Sequence, residues 1–183
     1  MSKPKRILIV DDEEANRDLL VAFVESLGHE SETAGDGIEA ISKMKLGFDL
    51  VLMDIMMPEM DGYEAIRQIR KDQEYSELPI IVTTVLTSKD DRLRAVEAGA
   101  NDYISKPVDK NELQVRMTSL LKMKEAQDAV KHYQAELEKK VEQRTVQLRE
   151  ALNESIESQR EIKKAHIETI HRLVVAAEYK DED

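Results

Sequence analysis

Apolar residues in this chain come first as short unbroken runs and later as a sparse helical stripe. Ile7-Leu8-Ile9-Val10 stops at the acids Asp11, Asp12, Glu13 and Glu14; Leu50-Val51-Leu52-Met53 stops at Asp54; Pro79 to Val82 runs into Thr83 and Thr84. Runs of this kind, without polar alternation, read as strands covered on both faces in a parallel sheet. Between them the period changes. Leu19, Leu20, Phe23, Val24 and Leu27 predict a helix over 16–27, closed by Gly28. A polar strand over 29–33 follows, then Asp36-Gly37 and a helix carrying Ile38, Ile41 and Met44 that ends at Gly47. Further helices are expected over 63–70, over 90–98 before Gly99, and from Asp109, with a last strand over 102–105. Five strands alternating with five helices imply a parallel sheet with helices on both faces, a three-layer α/β sandwich.

After Pro107 the chain has no proline or glycine as far as Asp183. An unbroken helix over 110–177 would extend about 100 Å at a rise of roughly 1.5 Å per residue. Val130, Leu137, Val141, Leu148, Leu152, Ile162 and Ile170 mark an apolar seam with heptad steps from 130 to 137 and from 141 to 148, broken at Arg144, Ser155 and Gln159. A lone helix this polar gains little stability by itself, so a parallel homodimer is expected.

Charge and composition narrow the partners. Of 183 residues, 36% are charged and 4% aromatic, with a net charge of −11. Residues 1 to 121 carry 15 basic and 24 acidic groups, net −9, and the remainder 12 and 14, net −2. A mixed-sign tail reads as a solvated coiled-coil surface, and no basic footprint for nucleic acid is present. The absence of cysteine excludes disulfides and thiolate metal sites. No apolar run reaches the roughly 18 residues of a membrane span. A soluble, cytoplasmic protein with no nucleic-acid partner and no membrane insertion is expected.

The chemistry centres on Asp54, a carboxylate at the exit of a buried strand, where open α/β sheets bind their ligands. With the first and third strands adjacent at the switch point, Asp11, Asp12 and Asp54 would converge. Their mutual repulsion calls for a divalent cation, and hard oxygen donors favour Mg2+, which commonly serves a phosphoryl group. Thr84 could donate a hydroxyl to that group and Lys106 could neutralise it, both at strand exits. The bond to Pro107 permits a cis peptide that would aim Lys106 inward. A dinucleotide site is disfavoured because the first turn lacks G-x-G-x-x-G. A haloacid-dehalogenase-like phosphatase would want an acid where Met56 stands. His29, His132, His166 and His171 show no paired metal spacing.

LIVDDE with Asp11 and Asp12, DLVLMDIMMPEMDG with Asp54, PIIVTT with Thr84, and GANDYISKP with Tyr103 and Lys106 together resemble a two-component response-regulator receiver domain over about residues 5–121. The resemblance implies a flavodoxin-like (βα)5 sandwich with strand order 2-1-3-4-5. It makes Asp54 the phosphoacceptor for a sensor histidine kinase or phosphotransfer protein. Mg2+ would be held by Asp12, Asp54 and the Met56 carbonyl, with Asp11 acting through water, and Thr84 and Tyr103 would be the switch pair. Two departures bear on lifetime. Val85 stands where many receivers have a small residue, and Met56 offers no side chain to position an attacking water. The stretch VEQRTVQLREAL resembles the signalling helices that precede output domains, and HIETIHRLVVAAEYKDED resembles the start of an HD-GYP cyclic-di-GMP phosphodiesterase domain, whose His-Asp metal pair and GYP loop this chain lacks. The expected divisions are a receiver over 1–121, a helical coiled-coil linker over 122–165 and the start of a truncated output domain over 166–183. The alternative reading is an unphosphorylated pseudo-receiver serving as a constitutive dimerisation or docking module.

Overall fold

The computed structural model describes residues 3–85 and 88–178. The last residues of the HD-GYP-like stretch, 179–183, lie outside that range. Five strands are present: β1 (Arg6–Val10), β2 (Glu30–Ala34), β3 (Leu50–Asp54), β4 (Ile80–Thr84) and β5 (Asp102–Ser105). They alternate with helices α1 (Glu14–Ser26), α2 (Gly37–Lys43), α3 (Gly62–Lys71), α4 (Lys89–Ala98) and α5 (Lys110–Glu178). All pairings are parallel and the strand order is 2-1-3-4-5, so the flavodoxin-like sandwich is the observed fold.

The period of two along each strand divides the core. Ile7, Ile9, Leu50, Leu52 and Ile81 pack under α1 and α5 with Leu20, Val24, Leu113 and Met117. Leu8, Val10, Val51, Met53, Ile80 and Val82 pack under the helices of the other face with Ala40, Ile66, Ile69 and Ala95. Each fully buried Ile or Leu is worth about 1.5–3 kcal/mol of apolar transfer, so the central strands are the main source of cohesion. Two stripe residues fall outside these cores: Leu19 is 45% and Ile38 54% exposed. Both flank the buried line of a short helix, and Leu20 and Ala40 occupy the core positions.

Helix starts follow local chemistry. The carboxylates of Asp36, Asp61 and Asp109 accept the backbone N–H of Glu39, Glu64 and Glu112 at 2.7, 2.7 and 2.9 Å, and the Ser88 hydroxyl accepts that of Asp91 at 3.1 Å. Gly99, at φ +106°, closes α4 in the left-handed conformation. The chain divides into two units, Met1–Ala129 and Val130–Asp183. In the second, the described side chains are exposed, Val130, Leu137, Val141, Leu148, Leu152 and Ile162 among them. No described helix is long and apolar enough to cross a membrane.

Candidate metal and phosphoryl site

Strand register builds the site. Val10 lies opposite Met53 in the β1–β3 pairing, so the next residue of each strand brings Asp11 beside Asp54. Asp54 in turn pairs with Thr83, and Thr84 with Ser105, which sets Lys106 one step beyond the sheet. Four segments far apart in sequence therefore end at one rim.

Ligand oxygens of Asp11, Asp12 and Asp54 all lie within 4.8 Å of one another. Asp11 and Asp54 are buried and Asp12 is exposed. The Lys106 ammonium donates to Asp11 Oδ2 at 2.7 Å and to Asp54 Oδ2 at 2.6 Å, and the peptide bond to Pro107 is cis. Asp54 Oδ1 accepts the Met56 N–H at 3.3 Å. Burial pushes the Asp54 carboxyl above its ordinary value despite the opposing pull of Lys106. Burial alone would draw the Lys106 ammonium down, but its hydrogen bonds to Asp11 and Asp54 hold it above its usual range.

A cavity of about 420 Å³ opens over these groups, with Asp12, Asn16, Met56, Val85 and Lys106 in its wall. Met56 and Val85, 59% and 62% exposed, make part of its wall apolar beside the exposed acids Asp12 and Glu13. An all-oxygen donor set with a neighbouring ammonium and room for a tetrahedral anion fits Mg2+ and a phosphoryl group.

The other residues named from sequence fall close by. Thr84 is buried at the end of β4, and its carbonyl accepts the Lys106 N–H at 2.8 Å. Tyr103 is half-buried, with the guanidinium carbons of Arg92 and Arg116 at 4.6 and 5.7 Å from its ring centre. Arg116 donates to both Asp102 oxygens at 2.7 Å.

Sequence reasoning missed three residues. Asn16, read only as a helix start, donates its amide to Asp11 Oδ1 and Glu13 Oε2, both at 3.2 Å. Arg17 donates to the Asp11 carbonyl at 2.6 Å. Gly62 lies so near the β3 exit that a Cβ there would sit 2.1 Å from the Asp54 carbonyl oxygen. A polar first turn directly after an acid run was the available signal for Asn16 and Arg17; Gly62 was legible as loop punctuation before the helix, but not as a close approach to β3.

Residues 7–118 match the response regulator receiver domain family. The probable transcriptional regulator ycf27 of Cyanophora paradoxa is 42% identical over 122 residues, covering 66% of this chain and 50% of that protein. The cyclic di-GMP phosphodiesterase response regulator RpfG of Xanthomonas campestris is 33% identical over 178 residues, 96% of this chain and 43% of that one. The chain thus spans about half the length of the curated relatives it matches. Among solved structures, the receiver domain of sensor histidine kinase PA1611 from Pseudomonas aeruginosa, with magnesium ion coordinated in its active site cleft, is 34% identical with a TM-score of 0.61, covering 65% of this chain and 98% of that one.

Proposed function

This chain belongs to the response regulator receiver domain family, and from that premise we propose that it is a phosphorylation switch whose Asp54 accepts a phosphoryl group from the phosphohistidine of a sensor histidine kinase or phosphotransfer protein. The observation that carries this is Lys106 bound at once to Asp11 and Asp54 beneath an open cavity. As an Asp54 oxygen forms its bond to phosphorus, the donor's N–P bond breaks, and the electron pair and then a proton return to the imidazole nitrogen. The Met56 N–H orients one Asp54 oxygen, and the Lys106 ammonium is placed to follow the charge onto the phosphoryl group. Asp12, Asp54 and the Met56 carbonyl would hold Mg2+, with Asp11 acting through water; when bound, the ion neutralises charge on the phosphoryl oxygens. The Thr84 hydroxyl then turns to the phosphoryl group and Tyr103 moves inward behind it, changing the surface of α4, β5 and α5. The side chains of Met56 and Val85 cannot hydrogen-bond an attacking water, and on that ground a phosphoryl lifetime of minutes rather than seconds is expected.

Incubation with Mg2+ and acetyl phosphate, followed by mass analysis, tests the reading. One phosphoryl adduct is expected on the intact chain and none on Asp54→Asn. No adduct, and no beryllofluoride-induced change, would leave the pseudo-receiver alternative.

The receiver over 1–121 would signal through a coiled-coil linker over 122–165. Its exposed seam supports a parallel homodimer, since the six seam side chains Val130, Leu137, Val141, Leu148, Leu152 and Ile162 are all exposed. Because the RpfG alignment runs past the receiver through 96% of the chain, the segment over 166–183 is proposed as the approach to a cyclic-di-GMP phosphodiesterase output. Sedimentation at tens of micromolar should give a dimer; a monomer, phosphorylated or not, would remove the linker role.

A further inference from the structure

Asn16 stands at the meeting point of two cavities. One is the phosphoryl cavity of about 420 Å³; the other is a notch of about 70 Å³ between α1 and the Lys106–Pro107 turn, lined mainly by Leu19, Leu20 and Val108. Asn16, Lys106 and Pro107 line both, so together they form the partition. The Asn16 and Lys106 side chains also share a partner. Asp11 offers Oδ2 to Lys106 at 2.7 Å, and Oδ1 to the Asn16 amide at 3.2 Å and the Glu13 N–H at 3.0 Å.

Asp11 is fully buried, and Lys106, Asn16 and the Glu13 N–H all donate to it. A buried carboxylate rotates to satisfy both oxygens, and losing one donor on Oδ1 would let the group turn or draw Lys106 further from Asp54. The same Asn16 amide holds Glu13 Oε2 at 3.2 Å. Asp11, Asp12, Glu13 and Asp54 make four acids at this rim, and an ion that must keep coordination positions open for water and a phosphoryl oxygen gains nothing from a fourth, mobile carboxylate. One amide thus fixes the orientation of Asp11 and tethers Glu13, whose side chain belongs to the wall of the same cavity.

We propose that Asn16 is a positioning residue for the magnesium site, setting the orientation of Asp11 and tethering Glu13 in the cavity wall so that it does not compete for the ion. This rests on the reading of the acidic rim as a magnesium site. Its test is calorimetric titration of MgCl2 into the full chain and into Asn16→Leu, Asn16→Gln and Asp12→Ala, with the melting temperature of each metal-free protein. Asn16→Leu should weaken Mg2+ affinity about 10-fold, the lower end of what loss of a group that orients a ligand costs. Its metal-free melting temperature should stay at the wild-type value, and Asn16→Gln, which keeps a donor, should recover most of the affinity. Unchanged or tighter binding by Asn16→Leu, a melting temperature that falls in step with affinity, or Asn16→Gln no better than Asn16→Leu would each overturn the assignment. Failure of the underlying reading looks different: wild type would take up no Mg2+, or Asp12→Ala would bind as well as wild type.

Discussion

Gly62 shows how little room the loop after β3 leaves. A methyl group there would meet the Asp54 carbonyl oxygen at 2.1 Å and the Ile55 Cα at 2.9 Å, both backbone atoms that no side-chain rotation can clear. Gly62→Ala is therefore expected to cost about 3 kcal/mol or more, the upper range for overpacking, and urea denaturation would measure it. The sign is opposite at Asp54. Its carboxyl is raised by burial, so ionisation is harder in the fold than in the unfolded chain. The stabilising contribution of that shift is complete below the ordinary value of 3.8 and is lost as pH rises through the higher folded value. Asp54→Asn should accordingly melt at a higher temperature than wild type at pH 7 without Mg2+, and the advantage should vanish near pH 3.5 in the same thermal scans.

Among the elements, the central strands were legible because β1, β3 and β4 are buried on both faces and read as unbroken apolar runs. β2 was legible only from its place in the alternation, since Glu30 to Thr33 carry polar side chains along the sheet edge. The helical stripes of α1 and α2 named the right helices and one residue too many in each, because a short helix buries a narrower line than its apolar spacing suggests. Asp11, Asp54 and Lys106 could be named from strand exits and the motifs around them. The amide of Asn16 and the approach at Gly62 could not, since both depend on how a helix start lies over a neighbouring strand. The same limit hid the surroundings of Tyr103. Arg92 on α4 and Arg116 on α5 both lie against its ring, and contacts of this kind are worth about 0.5–1 kcal/mol at exposed sites. Arg92→Ala removes the nearer one. It should ease inward movement of the ring and tighten beryllofluoride binding by about threefold, the factor corresponding to that energy; an unchanged affinity in calorimetry would show that the contact does not restrain the switch.

At the scale of the whole molecule, the two units differ in what sustains them. The receiver unit carries both hydrophobic cores and the complete acidic rim, while the described part of the second unit buries no side chain. A chain ending at Ala129 should therefore keep its fold and Mg2+ binding, with a melting temperature within about 4 °C of the full chain, a shift that corresponds to roughly 1 kcal/mol at this size. Loss of metal binding on truncation would show that the tail supports the site. The same truncation should abolish any dimer seen in sedimentation.

Lys106 is tethered at two points, and the two tethers need not let go together. If Asp54 accepts a phosphoryl group as proposed, the ammonium can leave Asp54 for it while Asp11 still holds it by Oδ2 and serves as a pivot. On that path the cation would swing across a short arc with one tether kept, and little rehydration would be added to the barrier.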